Sequence, residues 1–189
     1  MNPEIAPPVA PLRQKAQLMS ASDMERTLIR IAYEIVEKND GIEGLALLGV
    51  RRRGVPLAER LSRIMKRTEN VSIPVGALDI TFYRDDLSTV GPKPVVQEWR
   101  VDFPIENKNI VLVDDVLFTG RTVRAALDAI FDQGRPRRVQ LCVLIDRGHR
   151  ELPIEARFVG RIVPTTMNEV IEVKLTEIDN AEKVLLMEK

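Results

Sequence analysis

Several residue types that support common protein architectures are scarce in this sequence of 189 residues. It has one cysteine, Cys142, and one histidine, His149, so it can form no internal disulfide and offers no cluster of soft metal ligands. Every apolar run is far shorter than the roughly 20 residues that cross a bilayer. The first ten residues lack the basic start and apolar stretch of a secretory signal. These absences predict a cytoplasmic protein without a membrane segment.

The sequence also has no excess of either charge, since 28 lysines and arginines balance 28 aspartates and glutamates. A protein that coats nucleic acid through bulk electrostatics is therefore disfavoured. The GxxxxGK[ST] string of nucleotide hydrolases is absent, and no GxGxxG string follows a predicted strand. The composition, with 44% apolar and 30% charged residues, is typical of a globular protein. The length of the chain favours one domain.

The first residues differ in composition from the rest. Four of the twelve prolines fall within the first eleven residues, which show no apolar periodicity. We therefore predict that residues 1–19 form a mobile N-terminal extension and that residues 20–189 form a single domain. Ser22 and Glu25 have the spacing of a capping box, and apolar residues then recur at helical spacing up to Asn39. A first helix is predicted there.

Strand and helix patterns alternate along the remaining sequence. Continuous apolar runs predict buried strands, and apolar stripes at helical spacing predict helices between them. The predicted strands cover residues 45–50, 74–80, 99–103, 110–113 and 139–145. This alternation indicates an α/β fold with a mainly parallel central sheet flanked by helices. After Asp146 the pattern changes, and short extra strands at 158–159 and 171–175 are expected to cap one end.

Charged residues follow the predicted buried strands, at the edge where an open parallel sheet binds its ligands. These residues lie at 51–54, 83–86, 114–115 and 146–150. Two acidic and two basic clusters around one crevice suit a sugar that carries several phosphates, because arginines bind phosphate and carboxylates bind hydroxyls and cations.

The loop at residues 116–122 leads directly into a predicted helix, whose first amides and positive dipole end suit a phosphate monoester. The threonines and the glycine of this loop are the candidate donors. Asp114 and Asp115, just before the loop, suit ribose hydroxyls and the water shell of Mg²⁺. Taken alone, these residue types leave an alternative open, in which a strand ends in two solvated aspartates before an ordinary capped helix.

The complete string at 110–122, IVLVDDVLFTGRT, resembles the thirteen-residue phosphoribosyl pyrophosphate motif of type I phosphoribosyltransferases. Two further strings, DITFYRDDL at 79–87 and DRGHRELPI at 146–154, resemble one group of that superfamily, the bifunctional pyrimidine operon regulators and uracil phosphoribosyltransferases. The resemblance covers about residues 20–189. It implies the type I phosphoribosyltransferase fold, with a small hood and a flexible lid loop that contains Arg84.

By this resemblance, uracil reacts with phosphoribosyl pyrophosphate to give UMP and pyrophosphate, with Mg²⁺ as the cofactor. Asp114 and Asp115 would hold the ribose hydroxyls, and would hold the metal through water and substrate. Arg53 would contact pyrophosphate, and Arg84 would close over the reactants, which completes the implied catalytic set. The residues implied to bind phosphoribosyl pyrophosphate are Asp114, Asp115, Phe118, Thr119, Gly120, Arg121, Thr122, Arg52, Arg53 and Gly54.

The resemblance also bears on the base. Asp146 and Arg147 would begin the hood over uracil. Purine enzymes of the superfamily carry a third acid four residues after the first aspartate of the motif, and this position is Phe118 here, so a purine substrate is disfavoured. Asp85 and Asp86 remain open as a general acid and base, since an acidic turn explains them equally well.

A local excess of positive charge lies in residues 135–161, which hold seven arginines against three acidic residues. Such an excess suits RNA phosphates, and solvated surface charge is the alternative. The resemblance implies a homodimer, with assembly into a hexamer left open, that binds the pyr mRNA leader when uridine nucleotides are present. His149, Arg150 and Arg161 are the candidate RNA contacts.

Several functions therefore stay in competition. The first is a uracil phosphoribosyltransferase that also regulates pyrimidine genes by transcription attenuation. The second is an RNA-binding regulator that retains the site as a nucleotide sensor with vestigial activity. A salvage enzyme that has lost RNA binding is a third, and a purine or orotate phosphoribosyltransferase is a fourth.

Overall fold

A computed structural model describes residues 12–80 and 99–189 of the chain. The strands are β1 (Arg13–Ser20), β2 (Leu45–Val50), β3 (Val75–Leu78), β4 (Trp99–Arg100), β5 (Asn109–Leu117), β6 (Arg138–Asp146), β7 (Phe158–Ile162), β8 (Glu169–Lys174) and β9 (Lys183–Glu188). The helices are α1 (Ala21–Lys38), α2 (Gly54–Glu69), α3 (Arg121–Gln133) and α4 (Thr176–Asp179). The first eleven residues of the predicted extension and the predicted lid, with Arg84, Asp85 and Asp86, lie outside the described residues.

Six strands form the central sheet in the order β4-β3-β2-β5-β6-β7. Five of them are parallel, and the short β4 pairs antiparallel with β3. All six residues of β2 are buried, as expected for a strand that is covered by helices on both faces of the sheet. The predicted α/β fold with a mainly parallel sheet is therefore confirmed.

Helices cover both faces of this sheet. Leu45 and Leu47 of β2 pack in one core with α1 and α2, whereas Ala46 and Leu48 pack in the other core with α3.

Cys142 of β6 lies in the first core, and burial raises the pKa of its thiol to about 12, which keeps the thiol protonated and unreactive. None of the helices in residues 12–80 and 99–189 is long and apolar enough to cross a membrane.

A second, smaller sheet contains the remaining three strands in the order β1-β9-β8, and all its pairs are antiparallel. We call this sheet together with α4 the hood. Val173, Leu175 and Val184 of the hood belong to the same core as α1 and α2. The hood therefore packs on that side of the molecule, and the strand predicted at 171–175 is confirmed as part of it.

The N-terminal boundary differs from the prediction. Residues 13–19 were assigned to a mobile extension, but they form most of β1, which pairs with β9 from Arg13 opposite Glu188 to Ser20 opposite Lys183. Only Met19 of this strand is fully buried, so the strand carries no apolar pattern that the sequence could reveal. The extension assigned to 1–19 is therefore wrong for these residues.

The capping box of α1 is also two residues earlier than predicted. Ser20 Oγ accepts a hydrogen bond from the backbone N–H of Asp23 at 3.2 Å, and the Asp23 carboxylate accepts one from the backbone N–H of Ser20 at 2.9 Å. The predicted pair, Ser22 and Glu25, does not cap the helix. An aspartate thus performs the role that the sequence pattern assigned to a glutamate.

Three predicted strands have different limits or partners. The strand predicted to end at Val113 continues as β5 to Leu117, because β6 extends beside it and pairs Leu117 with Asp146. β7, predicted to cap one end, instead joins the central sheet parallel to β6. The strand predicted for 99–103 contains only the two residues of β4. Backbone pairing, which leaves little trace in composition, determines each of these differences.

Glu169 connects two strands of the hood, and its charge should stabilise the fold. Its carboxylate accepts hydrogen bonds from Lys15 Nζ at 2.6 Å and from the backbone N–H of Thr166 at 2.7 Å. These two hydrogen bonds lower the pKa of Glu169 to about 2. A lowered folded-state pKa contributes stability above the ordinary pKa of glutamate, and this stability is lost as the pH falls towards 2.

We expect Glu169→Gln to lower the free energy of unfolding at pH 7 and to have a smaller effect at pH 3. Urea denaturation at both values measures the difference. Glu172→Gln is the matched control, since Glu172 lies on the same strand and pairs only with its neighbour Lys174 in the described structure; such surface pairs contribute little. An effect of Glu169→Gln that is equal at the two pH values contradicts the prediction.

Candidate active site

A cleft of about 590 Å³ lies at the carboxyl ends of β2, β3 and β5. Its lining residues are Val50, Arg51, Arg52, Arg53, Asp79, Ile80, Asp114, Asp115, Val116 and Thr122. The charged residues that were expected to converge after β2 and β5 therefore do so. Residues 146–150, which were also expected at this crevice, lie beside Phe118 and do not line this cleft.

Asp114 and Asp115 belong to β5 itself, whereas the strand was predicted to end at Val113. The Asp115 backbone N–H donates to Asp114 Oδ1 at 2.9 Å, and the Val116 N–H donates to Asp115 Oδ1 at 3.0 Å. Burial raises the pKa of Asp114 well above its usual value, and the charge of Asp115 raises it further. The pKa of Asp115 is also raised, because the effect of burial exceeds the lowering by its hydrogen bond with Asp114 and by the charge of Arg53. Asp114 is buried and Asp115 is half-buried, and an acid pair of this kind attracts a cation or hydroxyl donors.

Two glycines bring the neighbouring loop close to this acid pair. A Cβ atom on Gly54 would lie 2.2 Å from the carbonyl oxygen of Val113, and one on Gly49 would lie 2.4 Å from Cα of Val55. Both contacts are too short for any side chain, so only glycine lets the start of α2 lie directly against β2 and β5. Gly54, predicted to bind substrate, thus acts by placing residues 51–53 at the cleft.

Three consecutive arginines in this loop surround one end of the cleft. Arg51 Nη1 lies 3.8 Å from the carboxylate of Asp79, and the side chain of Arg52 is exposed. Arg53 Nη2 donates to Oδ1 of Asp179 in the hood at 2.9 Å. The peptide bond between Arg51 and Arg52 is cis. This concentration of positive charge suits an anion with several negative charges.

The other end of the cleft is the start of α3. Gly120 precedes the helix with a φ of +93°, no side chain caps the helix, and its first turn holds no acidic residue. The amides and positive end of the dipole are therefore suited to a phosphate, with Thr122 lining the cleft. Arg121, predicted to bind substrate, pairs with Glu151 at 2.6 Å, and its contact with substrate stays a prediction. The carbonyl of Thr119 accepts the Glu151 backbone N–H at 3.0 Å, which braces the loop from outside.

An aromatic ring connects this phosphate loop to the segment after β6. The guanidinium carbon of Arg147 lies 4.1 Å from the centre of the Phe118 ring, and the His149 ring meets Phe118 edge-on at 5.8 Å. Arg147 is buried and donates to Thr165 Oγ1 at 3.0 Å and to the carbonyl of Glu169 at 2.6 Å. His149 Nε2 lies 2.6 Å from the carbonyl of Thr165, so this nitrogen carries a proton. Arg147 and His149 thereby hold Phe118 in place.

Arg150, predicted to contact RNA, is directed inward. Its guanidinium donates to the carboxylate of Asp146 and to the carbonyls of Phe118 at 2.9 Å, Gly148 at 3.1 Å and Ile154 at 3.0 Å. This placement favours a structural role, in which Arg150 supports the phosphate loop, over the predicted contact with RNA. Asp146, predicted to begin the hood over uracil, is likewise an acceptor within this network.

The arginines of the basic segment at 135–161 are distributed along β6. Five of its seven arginines flank β6, with Arg135, Arg137 and Arg138 before or at its start and Arg147 and Arg150 after its end. The nine residues of β6 separate these two groups by roughly 30 Å, since a strand rises about 3.3 Å per residue. The charge excess is therefore spread along the length of β6, and RNA binding by these residues stays a prediction.

A different basic group forms between α1 and β7. Its hollow of about 340 Å³ is lined by Met19, Asp23, Arg26, Thr27, Arg30, Gly160 and Arg161. Arg30 Nη2 donates to the carbonyls of Val159 at 2.9 Å and Gly160 at 2.7 Å. Arg26 and Arg30 were missed in the sequence because they lie far from Arg161 along the chain. Their spacing of four residues in a helix was the one available signal.

The acid pair fits a metal that is held mainly by substrate and water. In residues 12–80 and 99–189, no group of three or more histidine, cysteine, aspartate or glutamate side chains is placed to hold a metal ion. Asp114 and Asp115 therefore offer two carboxylates at most. Mg²⁺ commonly binds to one or two carboxylates together with water and substrate phosphates, which is the arrangement that these residues can support.

Replacing Asp114 with asparagine should stabilise the fold above pH 4. Because its pKa is raised in the folded protein, the unfolded chain loses this proton at lower pH than the folded protein does. The wild type therefore loses stability as the pH rises through that interval. We expect Asp114→Asn to raise Tm by a few degrees at pH 8, without metal or substrate, and to change it little at pH 4.

Scanning calorimetry at both pH values measures this effect. Asp128→Asn is the control, because Asp128 is exposed on α3 and pairs only loosely with Arg124 at 3.8 Å. A Tm for Asp114→Asn at or below that of the wild type at pH 8 contradicts the prediction.

Comparison with known proteins agrees with this geometry. The family model described as "Phosphoribosyl transferase domain" matches residues 15–177. The "Bifunctional protein PyrR" of Thermus aquaticus is 59% identical over 178 residues, which cover 94% of this chain and 98% of that protein. The protein of the same name from Deinococcus radiodurans is 53% identical and covers 92% of this chain and 95% of its own length.

Solved structures share the fold at lower identity. A hypoxanthine phosphoribosyltransferase of Trypanosoma cruzi matches with a TM-score of 0.73 at 19% identity, covering 92% of this chain and 95% of that one. A hypoxanthine-guanine phosphoribosyltransferase of Bacillus anthracis matches with a TM-score of 0.68 at 20% identity, covering 92% and 98%. The fold is thus that of the type I phosphoribosyltransferases, as predicted. Together with the family model and the full-length relatives, this shows that the chain belongs to the phosphoribosyltransferase family and, within it, to the bifunctional PyrR proteins.

Proposed function

We propose that this protein transfers the phosphoribosyl group of phosphoribosyl pyrophosphate to uracil, which gives UMP and pyrophosphate. One observation carries the proposal, namely that the acid pair lines a single cleft between the uncapped start of α3 and three arginines. Each of these features matches one part of the sugar substrate, and the family relationship supports the same assignment.

Three parts of the cleft correspond to three parts of the substrate. The start of α3, with residues 119–122, would bind the 5-phosphate, because its amides and dipole favour negative charge. Asp114 and Asp115 would accept hydrogen bonds from the two ribose hydroxyls. Arg53 and its neighbour Arg52 would contact the pyrophosphate at the opposite end. The sugar is then held at both ends, so that its anomeric carbon has a fixed position.

The reaction exchanges one bond at the anomeric carbon for another. The bond from this carbon to a pyrophosphate oxygen breaks, a bond to N1 of uracil forms, and the N1 proton leaves to solvent. Positive charge develops on the sugar in between, which the carboxylates stabilise, and the arginines stabilise the departing pyrophosphate. Mg²⁺, when bound with the substrate, would neutralise further charge on the pyrophosphate. The predicted roles of Arg84, Asp85 and Asp86 stay predictions.

The preference for uracil is supported by Phe118. The carbonyl of this residue is bonded by Arg150, and its ring is packed by Arg147 and His149. The position where purine enzymes of the superfamily carry an acid is therefore filled by an apolar ring in a supported loop. A purine ring would lose the acidic partner that it has in those enzymes.

A regulatory function is proposed for the same chain, because it belongs to the bifunctional PyrR proteins. We propose that it binds the pyr mRNA leader through the hollow of Arg26, Arg30 and Arg161, with His149 as a further contact. UMP at the phosphate loop would influence His149 through the Phe118 ring. The homodimer, and its assembly into a hexamer, stay predictions.

Consumption of phosphoribosyl pyrophosphate with each base tests the enzyme. We expect turnover with uracil and little with hypoxanthine, guanine or orotate. Asp115→Asn should lower kcat/KM about 100-fold or more, because it removes a charge that stabilises the sugar cation. Asp128→Asn, on the exposed face of α3, should leave the rate unchanged. Turnover with hypoxanthine faster than with uracil, or no turnover at all, contradicts the proposal.

Binding of the pyr leader RNA, with and without UMP and at two stated salt concentrations, tests the regulator. UMP should strengthen binding, and Arg161→Ala should weaken it and reduce the slope of log affinity against log salt by about one. Arg137→Ala is the matched control, since Arg137 is exposed at the opposite end of β6. Weak binding that is indifferent to UMP would show that the regulatory function is absent.

A further inference from the structure

An arginine of the cleft is held by an acid of the hood. Arg53 Nη2 donates to Asp179 Oδ1 at 2.9 Å, and Arg53 Nε lies 3.4 Å from Asp179 Oδ2. The two groups therefore meet side by side through two hydrogen bonds, the geometry that best restricts a guanidinium. Both side chains are mostly shielded, with 30% of Arg53 and 15% of Asp179 exposed. The contact connects the loop after β2 to the last residue of α4.

Asp179 is itself fixed in place. Its Oδ2 atom accepts the backbone N–H of Leu175 at 3.0 Å, and its own N–H donates to the carbonyl of Leu175 at 2.7 Å. Although burial raises the pKa of Asp179, its bonds to Leu175 and Arg53 lower it below the usual value. The carboxylate is therefore charged at neutral pH and cannot rotate freely.

A second arginine fastens the same short helix outside the cleft. Arg60 of α2 donates to Glu177 at 2.9 Å and to Glu182 at 2.6 Å. Neither glutamate lines the cleft. Arg60, together with Arg63 at 3.9 Å from Glu177, thus attaches the segment around α4 to α2 outside the cleft, whereas the contact made by Asp179 reaches a residue that lines the cleft.

Arg53 has another acidic neighbour, which makes its orientation matter. It lines the cleft together with Asp115, and its charge lowers the pKa of that residue. A guanidinium carries five N–H donors in one plane, and Asp179 engages only two of them. The remaining donors can face a ligand in the cleft as long as the guanidinium does not turn towards Asp115.

We propose that Asp179 is a positioning residue, which holds the guanidinium plane of Arg53 so that its remaining N–H donors face the pyrophosphate. The inference rests on the proposed function, because it assigns pyrophosphate to this end of the cleft. Without Asp179, the side chain of Arg53 turns towards Asp115. Arg53 then no longer contacts the pyrophosphate, and it pairs with a carboxylate that the sugar requires.

The test is the affinity of the protein for pyrophosphate with Mg²⁺, measured by calorimetry, together with the KM values for phosphoribosyl pyrophosphate and uracil. We expect Asp179→Asn to weaken pyrophosphate binding and to raise KM for phosphoribosyl pyrophosphate by between about tenfold and a hundredfold, the range for small displacements of a positioning group. KM for uracil should change less than about twofold, since the base binds elsewhere. Asp179→Glu, which keeps the charge, should recover part of the loss.

Glu177→Gln is the matched control, because it alters a carboxylate of the same helix whose arginine partner lies outside the cleft. It should leave both KM values and pyrophosphate affinity unchanged, even if its Tm falls as much as that of Asp179→Asn. Equal pyrophosphate affinity in the wild type and Asp179→Asn would show that Asp179 only attaches the hood, and would overturn the inference.

The two proposals fail in different ways. Normal turnover with uracil and an unchanged Asp179→Asn variant would overturn the positioning role alone. If Asp179→Asn weakens pyrophosphate binding and the wild-type protein does not convert uracil, the positioning role is supported and the proposed reaction is overturned. A wild type that does not bind pyrophosphate with Mg²⁺ would overturn both.

Discussion

Two adjacent carboxylates near the carboxyl end of β5, one buried and one half-buried, impose the constraint on which the site depends. Burying charge is unfavourable unless partners compensate for it. Asp114 and Asp115 obtain only part of that compensation, from two backbone amides and from Arg53. In the free protein the charges of the two acids are therefore electrostatically unfavourable, and a cationic or hydroxyl-bearing ligand would lower this free-energy cost. Binding sites of this type commonly sacrifice some stability of the fold for function.

The rest of the fold keeps these acids from moving apart. β5 lies between β2 and β6 in the sheet, and at Gly54 the start of α2 lies directly against the backbone of Val113 and Asp114. Phe118, Arg147 and Arg150 support the phosphate loop on the other side. This packing fixes the directions in which the loop of residues 51–53 and the phosphate loop present their N–H donors.

The sequence predicts the centre of the molecule better than its edges. The limits of β2 are correct because the run LALLGV at 45–50 holds five apolar residues and one glycine and is followed directly by three arginines, and the motif at 110–122 locates the phosphate loop. The polar edge strand β1 has no such pattern, since its stability comes from pairing with β9. The charge excess at 135–161 does not by itself locate a binding surface, because residues close in sequence are far apart along an extended strand. The Arg53–Asp179 contact has no local signal at all.

The hood is built from two distant parts of the sequence. Its edge strand β1 precedes the first helix, whereas β8, α4 and β9 follow the last strand of the central sheet. The hood is therefore not a module that recombination or engineering can exchange as one piece. A chimera between relatives must replace residues 13–20 and 169–188 together, and it must also match Arg53 with a carboxylate at position 179. The hood and the central sheet therefore have to change together, which keeps Asp179 of the hood opposite Arg53 of the active site.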